Sequence, residues 1–126
     1  MVGVVIVSHS LHLADSIAEF TAVMAPDAKV ACAGGLGDGS FGTSFEKIHA
    51  AVESVYSNDG VLILMDLGSA VMTTEMVIEA MEGRKIRMAD CPLVEGAVQA
   101  TICAASGMDL DSILAALQEV KTTKKF

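Results

Sequence analysis

The chain opens with an unbroken apolar run, Val4-Val5-Ile6-Val7, that ends abruptly in Ser8-His9-Ser10. A short run that is apolar at every position predicts a strand buried on both faces, as in a parallel sheet covered by helices. From Leu11 the period changes. Leu13, Ile17, Phe20 and Met24 recur at helical spacing, while Asp15, Ser16 and Glu19 fall off that face. Pro26 stops the helix. His9 therefore falls in a strand-to-helix turn at the carboxyl end of the first strand, the edge of an open α/β sheet where ligands bind.

The same alternation continues. Residues 29–32 read as a short second strand, followed by a glycine-rich loop over 33–42. Thr43 and Glu46 have capping-box spacing for a helix carried by Phe45, Ile48, Val52 and Val55. Asn58-Asp59-Gly60 signals a turn, and residues 61–65 form a second fully apolar strand ending at Asp66. Gly68-Ser69 opens a third helix, with Met72, Met76, Val77, Ile78 and Met81 on its apolar side and Gly83 at its C-terminal cap. Residues 85–89 give a less hydrophobic strand, nearer an edge. Helices over 94–105 and 110–120 complete the domain, the second facing inward through Ile113, Leu114 and Leu117. These last two helices can serve core or a dimer contact, which periodicity does not separate. A Lys-rich tail covers 121–126.

This β-α-β-α-β-α-β-α-α order predicts an α/β fold. The expectation is a single doubly wound domain over residues 1–120, with helices on both faces of a mainly parallel sheet of four to five strands. The first and third strands are the most hydrophobic and belong in the centre, giving the order 2-1-3-4. Helices then leave them on opposite faces, and His9 and Asp66 meet at the mouth of the crevice.

Composition narrows the function. Apolar residues make up 52% with four Phe, one Tyr and no Trp, so the core is built from Val, Ile, Leu, Ala and Met, and disorder is excluded. A net charge of −8 with no basic stripe argues against nucleic-acid binding. Cys32, Cys91 and Cys103 form no CxxC pair and read as small buried hydrophobes in a reducing compartment. The N-terminus lacks a basic lead-in and its apolar run breaks at Ser8, so neither a signal peptide nor a membrane span is expected, and a cytoplasmic location is.

The candidate chemistry centres on His9 and Asp66. A carboxylate that accepts one imidazole N–H fixes the tautomer and stabilises positive charge on the ring. Backbone N–H groups at Ser10-Leu11 and at Gly68-Ser69 would complete an anion site without lysine or arginine. Helix dipoles hold a phosphoryl group more mildly than a cation clamp, which suits onward transfer. On the residues alone two plainer readings stand beside this one. His9 can be a satisfied turn residue and Asp66 a helix cap, or the crevice can hold a small anion without catalysis.

Other motifs carry less. Gly37 to Gly42 matches GxGxxG. Four residues separate it from the strand, however, and Asp38 would sit against a pyrophosphate, so the loop reads as a crevice rim. A receiver domain would need an acidic pair where Ser8-His9 stands. No ligand spacing supports zinc, and no metal is expected. His12 reads as solvated near the site, and His49 as a mid-helix surface residue.

The segments Val5-Ile6-Val7-Ser8-His9-Ser10, Met65-Asp66-Leu67-Gly68-Ser69-Ala70 and Pro92-Leu93-Val94-Glu95-Gly96 together resemble the phosphocarrier subunits of phosphoenolpyruvate-dependent dihydroxyacetone kinases. Those subunits are similar to the IIA domains of the mannose class of the bacterial sugar phosphotransferase system. The resemblance runs from residue 2 to about residue 120, and the sequence after Asp66 favours the dihydroxyacetone branch.

The resemblance implies a phosphotransferase component that forms a homodimer. His9 would take a phosphoryl group from phospho-HPr and pass it to ADP on the nucleotide-binding kinase subunit, whose ATP then serves the dihydroxyacetone-binding subunit in glycerol metabolism. Asp66 would orient and charge-stabilise His9, while Ser10, Leu11, Gly68 and Ser69 line the phosphoryl site. Leu11, Leu67, Val71 and Met72 would surround it with apolar surface. No cofactor is expected on this chain, ADP and ATP being held by the partner. Because some members continue into further phosphotransferase domains, this chain is expected to borrow the general carrier and its kinase from other chains.

Overall fold

The computed structural model describes residues 1–126. Its elements are β1 (Gly3–Ser8), α1 (Leu11–Met24), β2 (Lys29–Gly34), α2 (Phe45–Val55), β3 (Val61–Met65), α3 (Val71–Ala80) entered through a 3₁₀ turn at Gly68–Ala70, β4 (Ile86–Met88), α4 (Leu93–Ala105) and α5 (Leu110–Val120). The strands form one sheet in the order β2-β1-β3-β4, every pair parallel. This is the doubly wound α/β order that the apolar runs predict, realised with four strands. The short β4 lies at an edge, where exposed Arg87 discourages pairing with another chain.

The two central strands are buried on both sides because alternate residues feed two different cores. Val4 and Ile6 of β1 join Leu62 and Leu64 of β3 in a core closed by α1, α4 and α5. Val5, Val7, Val61 and Ile63 belong to the opposite core, under α2 and α3. Each fully buried aliphatic side chain contributes about 1.5–3 kcal/mol, so this pair of strands anchors the fold. Its register also sets the site. Val7 pairs with Met65, and the Asp66 N–H extends the ladder to the Val7 carbonyl at 3.2 Å. Ser8, the last residue of β1, and Asp66, one step beyond β3, therefore stand side by side, in phase with Ile6 and Leu64.

Helix faces depart from the periodicity reading in two places. On α1 the buried residues are Ala14, Ile17 and Thr21, whereas Leu13, Phe20 and Met24 are exposed and Val23 is 80% exposed. The reason is close approach. A Cβ on Gly34 would lie 2.7 Å from the Ser10 carbonyl oxygen and 2.8 Å from Leu11 Cα, so the start of α1 meets the sheet through Ala14, and along the helix Ile17 is buried while Leu13, Phe20, Val23 and Met24 turn outward. On α3 the inward residues are Thr74 and Val77, with Met81 just beyond. Met72 and Met76 face solvent, and the Thr74 hydroxyl donates to the Ala70 carbonyl at 2.9 Å.

In α5, Leu110, Ile113 and Leu117 are buried in the core and Leu114 is half-buried. The cap of α2 is Ser44, whose Oγ accepts from Lys47 N–H at 3.2 Å. Thr43, the expected capping residue, instead bonds the Thr73 hydroxyl at 3.1 Å. No helix is long and apolar enough to cross a membrane.

Candidate active site

Beyond β1 the chain turns sharply into α1, capped by Ser10, whose Oγ accepts from Leu13 N–H at 3.2 Å. That turn presents His9 at the carboxyl edge of the sheet. Beyond β3, Asp66 lies beside it, and His9 Nδ1 stands 2.9 Å from Asp66 Oδ1. The carboxylate accepts three further bonds: from His9 N–H and Ser8 Oγ, both at 2.9 Å to Oδ2, and from Leu67 N–H at 2.7 Å to Oδ1. Burial alone would raise the Asp66 carboxyl. The bonds from His9 backbone and ring, Ser8 and Leu67 outweigh it and hold the group below the ordinary carboxylate value.

An ionised carboxylate only accepts, so Nδ1 carries the proton of this contact and the neutral ring keeps its lone pair on Nε2. Nε2 is 2.9 Å from Ser69 Oγ, which donates to it. The imidazole is thus held at both nitrogens, between the end of β3 and the 3₁₀ turn. The His9 side chain is 25% exposed and that of Asp66 12%. The nitrogen aimed at solvent is the one available to react.

The remaining residues of interest distribute as follows. Leu11 N–H opens α1, where no earlier helical carbonyl can take it. Ser10 N–H is directed inward, to Ser8 Oγ at 3.0 Å, so Ser10 serves the site through its cap. Gly68 and Ser69 form the exposed 3₁₀ turn facing His9. Exposed Leu67 and Met72 flank that turn, and Val71 and Leu11 are half-buried.

The glycine-rich loop returns to the site through Gly42, whose N–H donates to the His9 carbonyl at 2.9 Å, and it carries the exposed Phe41. Beside Asp66 a cavity of about 420 Å³ is lined by Met65, Leu67, Val71, Met88 and Cys91 among others. Burial pushes the Cys91 thiol up. The Cys32 thiol, bonded to the Ala14 carbonyl at 3.3 Å, is pushed up to about 11 by burial and by Asp15. His12 is exposed, and His49 is half-buried and stacked on Phe45.

Ser8 is the member that motif reasoning passed over. Its signal was present in the strand's parity: it is the polar residue that continues the inward-facing set Val4 and Ile6.

Comparison with known proteins places this geometry in a family. The family model described as PTS system fructose IIA component, EIIA-man, matches residues 3–116. The chain belongs to the EIIA-man family. Among its EIIA-man relatives, the phosphoryl donor subunit DhaM of the PEP-dependent dihydroxyacetone kinase of Escherichia coli (strain K12) is 40% identical over 121 residues. That alignment covers 90% of this chain but 26% of the relative, so the chain spans about a quarter of that protein's length. The phosphotransferase subunit DhaM of the PTS-dependent dihydroxyacetone kinase of Lactococcus lactis subsp. lactis (strain IL1403) is 33% identical, with 97% of this chain and 98% of the relative covered. A solved structure described as the unknown function protein EF1359 superposes with a TM-score of 0.85 at 32% identity, covering 100% of this chain and 99% of that one.

Proposed function

We propose that this EIIA-man domain is a phosphohistidine relay, a phosphotransferase component of a phosphoenolpyruvate-dependent dihydroxyacetone kinase. His9 accepts the phosphoryl group of phospho-HPr and passes it to ADP bound on the kinase's nucleotide-binding subunit. The dihydroxyacetone-binding subunit then consumes the ATP, in glycerol metabolism. The observation that carries the reading is the Asp66–His9–Ser69 line, which supports a proton fixed on Nδ1 and a lone pair on Nε2 facing outward. Two relatives matched over most of this chain, a phosphoryl donor subunit of a PEP-dependent dihydroxyacetone kinase and a phosphotransferase subunit of a PTS-dependent one, support a phosphoryl relay role.

The Nε2 lone pair attacks phosphorus in line as the bond from phosphorus to the donor's imidazole breaks, its electron pair returning to the donor ring. The His9 ring becomes positive, and the fixed charge of Asp66, 2.9 Å from Nδ1, stabilises it. Ser69 Oγ turns from Nε2 to a phosphoryl oxygen, alongside N–H groups of Leu11, Gly68 and Ser69. In the second half an ADP phosphate oxygen attacks phosphorus, and the Nε2–P bond breaks back onto the ring. Alignment and anion stabilisation do most of the work in such a transfer. No lysine or arginine is required of this chain, nor any cofactor of its own.

Exposed Leu67, Met72 and Phe41 around the crevice suit a surface that donor and acceptor cover in turn, excluding water. The exposed apolar face of α1, Leu13, Phe20, Val23 and Met24, supports a homodimer through that helix. A cytoplasmic location follows from the partners.

The test is intact-mass analysis after incubation with phosphoenolpyruvate, enzyme I and HPr, beside the His9→Ala variant. One acid-labile phosphoryl group, absent in the variant, is expected. No added mass with an active donor mixture would sink the relay and favour a non-catalytic anion-binding module, which ligand-induced stabilisation without modification would reveal.

A further inference from the structure

We infer that Ser8 is a positioning residue that sets the imidazole tautomer of His9 by locking the rotation of the Asp66 carboxylate. The inference rests on the relay reading for its consequence in transfer, and on the geometry alone for its effect on the ring.

Ser8 is wholly buried, yet it is polar and ends a strand whose other inward residues are Val4 and Ile6. Its hydroxyl is used in both directions. It accepts Ser10 N–H at 3.0 Å and donates to Asp66 Oδ2 at 2.9 Å. Because the helix-start N–H occupies the oxygen's acceptor side, the hydroxyl proton is aimed at Asp66. The Ser8 carbonyl is tied as well, accepting Gly35 N–H at 3.0 Å. Ser8 therefore links the end of β1, the start of α1, the glycine-rich loop and the carboxylate of β3.

A carboxylate rotates freely about its last torsion unless its two oxygens meet different partners. Here Oδ2 is held by Ser8 Oγ and His9 N–H, which turns Oδ1 towards His9 Nδ1. Removing the hydroxyl takes away one of the two bonds on Oδ2 and strands Ser10 N–H. The carboxylate, still held by His9 N–H and Leu67 N–H, loses its third anchor and tilts, the Nδ1–H contact loosens, and the proton redistributes in part to Nε2, the nitrogen that must be bare to accept phosphorus. Outer partners of this kind typically matter by about 10–100-fold. About a ten-fold slower phosphoryl acceptance is expected for Ser8→Ala, with donor KM unchanged.

The experiment pairs that rate with ¹H–¹⁵N spectra of the side-chain imidazoles, recorded above the imidazole titration in the absence of any donor. His12 and His49 serve as internal references. Wild type is expected to show His9 protonated at Nδ1, and Ser8→Ala a mixture with the Nε2–H form. Ser8→Cys fills nearly the same volume with a poor donor, and it must show the same change if the alanine variant does not fold. Wild-type tautomer and rate in the variants would overturn the inference, as would a slower rate with an unchanged tautomer. If wild type takes no phosphoryl group although Ser8→Ala alters the tautomer, the relay reading fails and the role of Ser8 in orienting the ring stands.

Discussion

Ser69 Oγ lies 2.9 Å from His9 Nε2, on the other side of the ring from Asp66, and so occupies the position that phosphorus would take in the proposed relay. Its hydroxyl meets the lone pair in the resting site and, on the relay proposal, would have to leave when the group arrives. The same O–H then meets a phosphoryl oxygen. Ser69→Ala is expected to leave His9 phosphorylatable but to slow transfer about ten-fold, the worth of one hydrogen bond to a charged group. Rapid-quench measurement of acceptance from phospho-HPr reads this directly. A rate equal to wild type would show that the hydroxyl does not follow the phosphoryl group.

Asp66→Asn replaces one acceptor oxygen with an amide that donates. Every group now facing the carboxylate is itself a donor: the His9 ring and N–H, Ser8 Oγ and Leu67 N–H. At least one becomes unpaired, so a stability loss of about 1–3 kcal/mol is expected, with the fold retained. Transfer slows by about 10–100-fold as the ring loses its fixed counter-charge. Urea unfolding and single-turnover transfer check the two effects separately.

The acid limb of stability is a third test. The folded Asp66 carboxyl lies below its ordinary value, so the folded state binds its proton less readily than the unfolded chain does. The stability this contributes is complete above the unfolded carboxylate value of about 3.9. It is lost as pH falls from there through the depressed folded value. Urea midpoints of wild type and Asp66→Asn should therefore converge as pH drops through this window. The exposed carboxylates are common to both proteins and cancel in the difference. A gap that stays constant to the acid limit would contradict the assignment.

Gly34→Ala tests the close approach of β2 to α1. The new Cβ would stand 2.7 Å from the Ser10 carbonyl oxygen and 2.9 Å from Ala14 Cβ, against backbone that cannot swing aside. Overpacking of this kind costs about 1–3 kcal/mol. Because the displaced segment carries Ser10 and adjoins His9, transfer should fall along with the thermal midpoint. Substitution at the open Gly37, where a Cβ meets nothing within 4 Å, should change neither.

Much of this arrangement was readable in the chain. Val4 to Val7 and Val61 to Leu64 are apolar at every position because both faces are covered, and that alone puts β1 and β3 in the centre. Their neighbouring ends bring His9 and Asp66 together without any local motif. The faces of α1 and α3 were less legible, since hydrophobicity marks what a helix can bury rather than what it does bury. Met72, at 74% exposure, sits where the helix meets solvent beside the crevice. Ala14 is buried where Gly34 approaches the start of α1 so closely that only a small side chain fits. Ser8 escaped notice for a related reason: its contribution lies in the direction of one O–H bond, which depends on β1 and β3 being in register.

That register has a consequence for the timing of activity. His9 is made early, but the carboxylate that organises it follows 57 residues later, just beyond β3, with β2 and α2 between them in the chain. Parallel pairing at such separation is intrinsically slow. A chain in which β1 and β3 are not paired therefore lacks the carboxylate beside its histidine. In the proposed relay, competence to take a phosphoryl group would then require that β1 and β3 be paired, so a copy lacking that pairing would drop out of the relay instead of draining phosphate from it.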